Sequence, residues 1–390
     1  MNLGIRVSGI CGFDRYLCEM NGVVEENFLY GRLEERRNTD SLRELSFHEN
    51  LVDFCSNDYL GIVRNGLLEN GTGTQVGRSV LHHGSTGSRL LKGNYPLIEE
   101  AESRIASFHD SEAALIFNSG YDANIGLLSS VARRGDTIIY DQFAHASIRD
   151  GVRLGFAKGF AFAHNDCNDL EQKLGHASGN TFVVTESIFS MDGDRADLSR
   201  ILQLCQLRGA HLIVDEAHSV GLDGEMGEGL AQSNQLHKKC FARVHTFGKA
   251  MGCHGAAISG SRLLKNYLIN FARPFIYTTA LPESAVAAIL GAYRIVPAMK
   301  EERRQLTNII RLFQDAPSRF IKLKTQSPIQ VLIIPGNTEV KRVASTLREN
   351  GLDVRAILYP TVSRGAERLR IVLHSFNTEN EIEKLNQLLR

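Results

Sequence analysis

The chain has 390 residues, 43% of them hydrophobic and 23% charged, and its 44 basic side chains are matched by 44 acidic ones. Such a composition belongs to a folded globular protein with room for a large domain and one or two smaller ones. The balanced charge argues against nucleic acid or an anionic membrane as a partner, so small ligands are expected.

Residues 1–30 open the chain without clear periodicity. Arg6, Asp14 and Arg15 break up their apolar residues, so no continuous signal-peptide core forms and secretion is not expected. They are read as the start of an N-terminal extension and arm, residues 1–55. Seven cysteines, at 11, 18, 55, 167, 205, 240 and 253, are scattered with no C-x-x-C pair. Spread in this way they indicate neither zinc nor a redox dithiol, and no metal site is expected. A reducing cytoplasm is their simplest setting.

A large domain is expected over residues 56–282. From about residue 110 short apolar runs alternate with turns bearing Gly or Asp and with longer amphipathic segments, the rhythm of βα units feeding a mostly parallel sheet. The runs predict seven strands, at 114–117, 137–141, 159–163, 181–186, 211–215, 243–246 and 255–260. Helices are predicted between them at 122–131, 145–154, 166–174, 197–207 and 261–272.

Residues 283–390 are expected to form a connecting helix and a smaller α/β domain. The apolar stretch 280–299 holds Glu283, Arg294 and two prolines, which argues against a membrane span. A long helical region is predicted to about residue 316. Strands follow near 330–334, 354–358 and 369–373, with helices at 339–349 and 379–389.

Five segments place polar chemistry where strands end, the edge at which parallel α/β sheets bind ligands. Leu212-Ile213-Val214-Asp215-Glu216-Ala217-His218 runs from an apolar strand into an acid and a histidine. Taken alone, Asp215 caps a turn about as readily as it faces a ligand. Val244-His245-Thr246-Phe247-Gly248-Lys249 delivers a lysine beside small residues that permit close approach; withdrawn from water, it gains the lowered pKa that imine chemistry needs. Asn118-Ser119-Gly120-Tyr121 joins a strand to a helix start whose free N–H groups suit a phosphate, although an ordinary turn explains it nearly as well. His145 is either an N-terminal helix residue or a lid over an aromatic ring. Glu186 and Ser190 end a further strand in a polar loop. A rival dinucleotide site at Gly71-Thr72-Gly73-Thr74-Gln75-Val76-Gly77 lacks a preceding strand and the acid about 20 residues on.

These segments, with Ser56-Asn57-Asp58-Tyr59-Leu60-Gly61, Gly84-Ser85-Thr86-Gly87-Ser88-Arg89, His145-Ala146-Ser147 and Ser190-Met191-Asp192-Gly193, resemble the α-oxoamine synthase family over roughly residues 33–390. The resemblance implies a fold-type I pyridoxal-phosphate (PLP) transferase: a large seven-stranded, mostly parallel sheet domain and a smaller C-terminal α/β domain. It implies that Lys249 forms the Schiff base to PLP, that Asp215 pairs with the ring nitrogen so the ring acts as an electron sink, and that His145 stacks on the ring. His218 and Ser190 are implied to bond the phenolic oxygen, with Glu186 also lining the cofactor. Ser119, Gly120, Tyr121 and Thr246 are implied to hold the phosphate, helped by Thr278 or Thr279 of a second subunit, which makes a homodimer with shared sites. Arg370 matches the arginine that clamps an amino-acid carboxylate, for which a planar fork is suited. Asn57, His145, Thr361 and Arg43 match further substrate contacts. On this basis the catalytic set is Lys249, His145, Asp215 and His218.

The family reaction is a decarboxylative condensation of an amino acid with an acyl thioester carried by CoA or by acyl carrier protein. Ala163-His164-Asn165-Asp166, Phe247 before Gly248-Lys249, Cys253-His254-Gly255-Ala256-Ala257, Tyr277-Thr278-Thr279-Ala280-Leu281-Pro282 and Leu33-Glu34-Glu35-Arg36-Arg37 resemble the branch that joins L-alanine to a pimeloyl group. Branches using glycine or serine share Asp215-Glu216-Ala217-His218 and remain alternatives, as does a non-catalytic binding protein on the same fold.

Overall fold

In the computed structural model, which describes residues 26–45, 48–69 and 81–390, apolar runs from the middle of the chain meet in one seven-stranded sheet. The glycine-rich stretch 71–77 and residues 1–25 lie outside the described residues. The chain divides into two units after residue 47. In the first, helix Asn27–Asn38 buries none of its residues.

The second unit opens with β1 (Val52–Asp53) and continues with β2 (Ala113–Phe117), β3 (Thr137–Asp141), β4 (Lys158–Phe162), β5 (Thr181–Glu186), β6 (His211–Asp215), β7 (Ala242–Thr246) and β8 (Ala256–Gly260). The order across the large sheet is β2-β8-β7-β6-β5-β3-β4. Pairs from β7 through β6, β5 and β3 to β4 are parallel, and β8 is antiparallel to both its neighbours. Only β8 runs against the others, so six strands deliver their carboxyl ends to one edge. Interior strands are covered on both faces and can be apolar throughout; every residue of β5 is buried. β4, on the edge, exposes four of its five.

The connecting helices begin at side-chain caps that satisfy amide groups left unpaired in the first turn. Ser119 caps helix Gly120–Val131, Asp166 caps Cys167–Gly175, Asp197 caps Leu198–Arg208 and Ser261 caps Arg262–Phe271. All seven predicted strands form within a residue of their expected ends. The sequence reading did not place helix Pro96–Phe108, although Pro96 at its first turn and buried Leu97, Ile98, Ala101 and Ile105 mark it.

Beyond the large sheet come β9 (Ile321–Lys322), β10 (Ile329–Ile333), β11 (Leu352–Asp353), β12 (Arg355–Ile357) and β13 (Arg368–Val372). Four of them form an antiparallel sheet ordered β12-β13-β10-β9, and β1 pairs in parallel with β11. The Val372 amide donates to Phe54 O, so the stretch entering Ser56 and Asn57 is held beside β13. The single long helical region expected to residue 316 is corrected to two helices, Glu283–Ile295 and Lys300–Asp315, separated by a 3-10 turn at Val296–Ala298. Pro297 cannot donate the amide that a continuous helix would require there.

Candidate active site

Lys249 lies just past β7, and its Nζ is 2.7 Å from His218 Nε2. Gly252, at φ +63°, leaves no room for a side chain against Ile62, which explains the glycine that closes this turn. Withdrawal from water lowers the lysine pKa; the carboxyls of Asp215 and Glu186 oppose this and Arg370 reinforces it, leaving the amine at about 8. Near neutral pH a usable fraction is uncharged.

His218 is buried, and its Nδ1 lies 2.7 Å from the Tyr59 hydroxyl. Burial, together with the charges of Lys249, Arg370 and His145, keeps its pKa well below the usual histidine range, so the ring is neutral.

Asp215 ends β6 with its carboxylate at the same edge. Oδ1 accepts from Ala217 N at 2.9 Å and Oδ2 from Asn124 Nδ2 at 2.8 Å. Asn124 also donates to Ser147 Oγ at 2.9 Å, which in turn is 2.8 Å from His145 Nδ1. His145 caps helix Ala146–Leu154. The His145 amide donates to Glu186 Oε1 at 2.6 Å. Burial and the neighbouring Asp215 push the Glu186 carboxyl up to about 8, so it holds its proton near neutrality.

From the smaller sheet, Arg370 on β13 donates through Nε to Ser190 O at 2.8 Å and through Nη2 to Asn57 Oδ1 at 3.1 Å. Asn57 Oδ1 also accepts from Tyr59 at 3.1 Å. Two loops therefore fix a half-buried guanidinium fork in the crevice that holds Lys249.

At the end of β2, Ser119 caps the helix that starts at Gly120. A Cβ on Gly120 would collide with the Thr246 hydroxyl, so these residues make a cradle in which backbone can approach an anion. The Tyr121 hydroxyl donates to Asp150 at 2.6 Å, which leaves the ring and backbone for any contact with a ligand. Asn118 Nδ2 donates to Thr278 Oγ1 and Thr279 O at 3.1 and 2.8 Å, placing both threonines beside the same chain's strand end. Thr361 sits in an exposed turn between β12 and β13, and Arg43 belongs to the first unit.

Residues that sequence reasoning did not single out complete the cluster: Tyr59, Asn124 and Ser147. Tyr59 and Ser147 fall inside segments noted for other members, and Tyr59 stands two residues from Asn57. His164, Asp192 and Asp194 also bring ligand-type atoms within 4.8 Å of one another. Both imidazole nitrogens of His164 already face carboxylates, Asp141 at 2.9 Å and Asp194 at 2.8 Å. Burial would lower its pKa, but the bonds and charges of these two acids raise it to about 9. In this arrangement His164 is clasped between two acids.

The family model described as aminotransferase class I and II matches residues 49–389. An 8-amino-7-oxononanoate synthase from Lysinibacillus sphaericus is 38% identical over 96% of both chains. One from Emericella nidulans is 38% identical over 86% of this chain and 87% of its own. Among solved structures, a serine palmitoyltransferase from S. paucimobilis with a bound PLP–myriocin adduct superposes with TM-score 0.83 at 25% identity, over 93% of this chain and 96% of that one. An 8-amino-7-oxononanoate synthase from Francisella tularensis superposes with TM-score 0.72 at 29% identity, over 88% and 97%.

Proposed function

The chain belongs to the aminotransferase class I and II family and, within it, to the α-oxoamine synthases; from that premise we propose that it condenses L-alanine with a pimeloyl thioester, releasing carbon dioxide, to give 8-amino-7-oxononanoate for biotin synthesis. It is a PLP-dependent acyltransferase acting on an amino acid and an acyl thioester.

The residues present fit PLP. Asp215 offers a buried carboxylate for a pyridinium nitrogen, Gly120 and Thr246 offer a cradle for a phosphate, and Lys249 offers an amine lowered to about 8. Asn124 Oδ1 is buried beside Asp215 without a hydrogen-bond partner. When bound, the cofactor supplies an electron sink for the bonds broken at the amino acid's α-carbon.

The chain's own residues supply the rest. Arg370, steadied by Ser190 O and Asn57, holds the amino-acid carboxylate, with His145 and Thr361 as further contacts. Lys249 Nζ takes the α-proton, and the neutral His218 beside it stores no competing charge. Asp215, fixed by Asn124 and Ala217, would hold a proton on the cofactor's ring nitrogen, and His145 would stand beside the ring. The observation that carries this reading is the unbroken contact from Lys249 through His218, Tyr59 and Asn57 to Arg370, which puts a carboxylate fork and a base in one crevice.

For the substrate, the 38% identity to the synthase from Lysinibacillus sphaericus outweighs the fold-level likeness to serine palmitoyltransferase at 25%. We further propose a homodimer in which Thr278 or Thr279 reaches the partner's phosphate cradle. Tyr277 and Leu91, 72% and 84% exposed, leave apolar surface near this segment for a second copy. The large domain is proposed over 56–282 and the smaller one over 283–390, preceded by the arm at 1–55. Among the described residues no helix is long and apolar enough to cross a membrane. The cysteines at 55, 167, 205, 240 and 253 are free thiols, which supports a cytoplasmic setting.

A substrate panel tests the reaction. L-alanine with a pimeloyl thioester should release carbon dioxide and free thiol faster than glycine or serine with any acyl donor. A preference for glycine with acetyl-CoA, or for serine with palmitoyl-CoA, would replace the assignment.

A further inference from the structure

Between Arg370 and Lys249 every hydrogen bond has a direction, and the arginine sets it. A guanidinium has only donors, so the Asn57 atom 3.1 Å from Arg370 Nη2 is the amide oxygen. The same Oδ1 lies 3.1 Å from the Tyr59 hydroxyl. Two oxygens at that distance need a proton between them, and only the phenol has one to give. Tyr59 therefore accepts at its other contact, the one 2.7 Å from His218 Nδ1.

His218 is neutral and has a single ring proton, which this contact claims for Nδ1. Its Nε2 then turns a lone pair toward Lys249 Nζ, 2.7 Å away, and receives a lysine N–H. Tyr59 is 0% exposed, so its hydroxyl is held to these two partners and to the neighbouring Arg370 guanidinium, which can only donate to it.

We propose that Tyr59 is a positioning residue that fixes the tautomer of His218, making the carboxylate-binding arginine and the lysine the two ends of one directed hydrogen-bond chain. A phenylalanine at 59 would leave Nδ1–H without an acceptor, and the ring would then favour a proton on Nε2. That proton would point at Lys249, and the charged amine would lose its acceptor. The other groups bearing on Lys249 are Asp215 and Glu186, which favour its charge, and Arg370, which opposes it; His145 also bears on His218. Tyr59→Phe removes none of these charges, although it takes a hydroxyl contact from Arg370 and from Asn57.

The proposal rests on Lys249 as the lysine that takes PLP, and two measurements on the full-length chain separate the claims. In the first, protein freed of cofactor is mixed with PLP and the rate of Schiff-base formation is followed against pH. Tyr59→Phe should move the midpoint of that profile down by about half to one pH unit, the equivalent of one lost hydrogen bond. In the second, 15N-histidine NMR should show His218 protonated on Nδ1 in the wild type and shifted toward Nε2–H in Tyr59→Phe. Coincident pH profiles, or Nε2–H in the wild type, would overturn the role given to Tyr59. A wild type that takes up no PLP would defeat the cofactor assignment instead, with the NMR result still deciding the tautomer. Thermal melts of both proteins, expected to agree within a few degrees, guard against a folding defect.

Discussion

Glu186 and Asp215 are partners across the β5–β6 ladder, so two carboxyls arrive side by side at the same sheet edge. Glu186 is pushed up to about 8 by burial and by Asp215 and accepts from the His145 amide, so near neutrality it acts as a neutral hydrogen-bonding group.

Glu186→Gln should therefore keep turnover at pH 7 within about threefold of the wild type, since an amide mimics a protonated carboxyl. The folded pKa lies above the unfolded value near 4.5, so the stability this proton contributes is present below pH 4.5 and is lost as the pH rises through 8. Melting temperatures should converge in acid and favour the variant at pH 9. A variant inactive at pH 7 would show that an ionised Glu186 is needed.

Lys249→Ala should abolish the visible absorption that the purified wild type shows with PLP, and with it all turnover. A wild type that stays colourless when PLP is added would contradict the cofactor role.

Arg370→Lys keeps the charge and loses the fork that reaches Ser190 O and Asn57 Oδ1 together. Its KM for the amino acid should rise by roughly 30-fold, about 2 kcal/mol for one lost charged hydrogen bond, with KM for the acyl thioester little changed. An equal rise in both would mean that Arg370 is structural.

His164 bridges Asp141 and Asp194 with both ring nitrogens while it stacks on Phe143, centroids 4.5 Å apart, and meets the edge of Phe189. Its pKa is raised from 6.5 to about 9, so its contribution to stability is fully present below pH 6.5 and lost as the pH climbs through 9. The difference in melting temperature between wild type and His164→Gln should shrink over that window. A difference independent of pH would point to shape alone.

Much of the fold was legible in the sequence because interior strands of a parallel sheet are apolar on both faces and end in turns with distinct residues, as 181–186 and 211–215 do. The strand ends that gather Lys249, Asp215, His218, His145 and Glu186 could be read for the same reason. Tyr59 could not, because its bond to His218 joins residues separated by most of the large sheet and leaves no local pattern. Asn124 and Ser147 look like ordinary helix residues until the helices holding them are packed together. The break at Val296–Ala298 hung on Pro297 alone, within a stretch whose apolar content continued on either side.

The antiparallel strand β8 has a consequence for how the protein is made. Ala113 of β2 pairs with Gly260 of β8, so on a ribosome β2 must wait, unpaired, until about two thirds of the chain has emerged. Arg370 appears later still. Contacts so distant in sequence form slowly, and during synthesis the edge that will hold Ser119 and Gly120 exists before its neighbour does. The ligand crevice can therefore close only after Arg370 has been made, when most of the chain is already present.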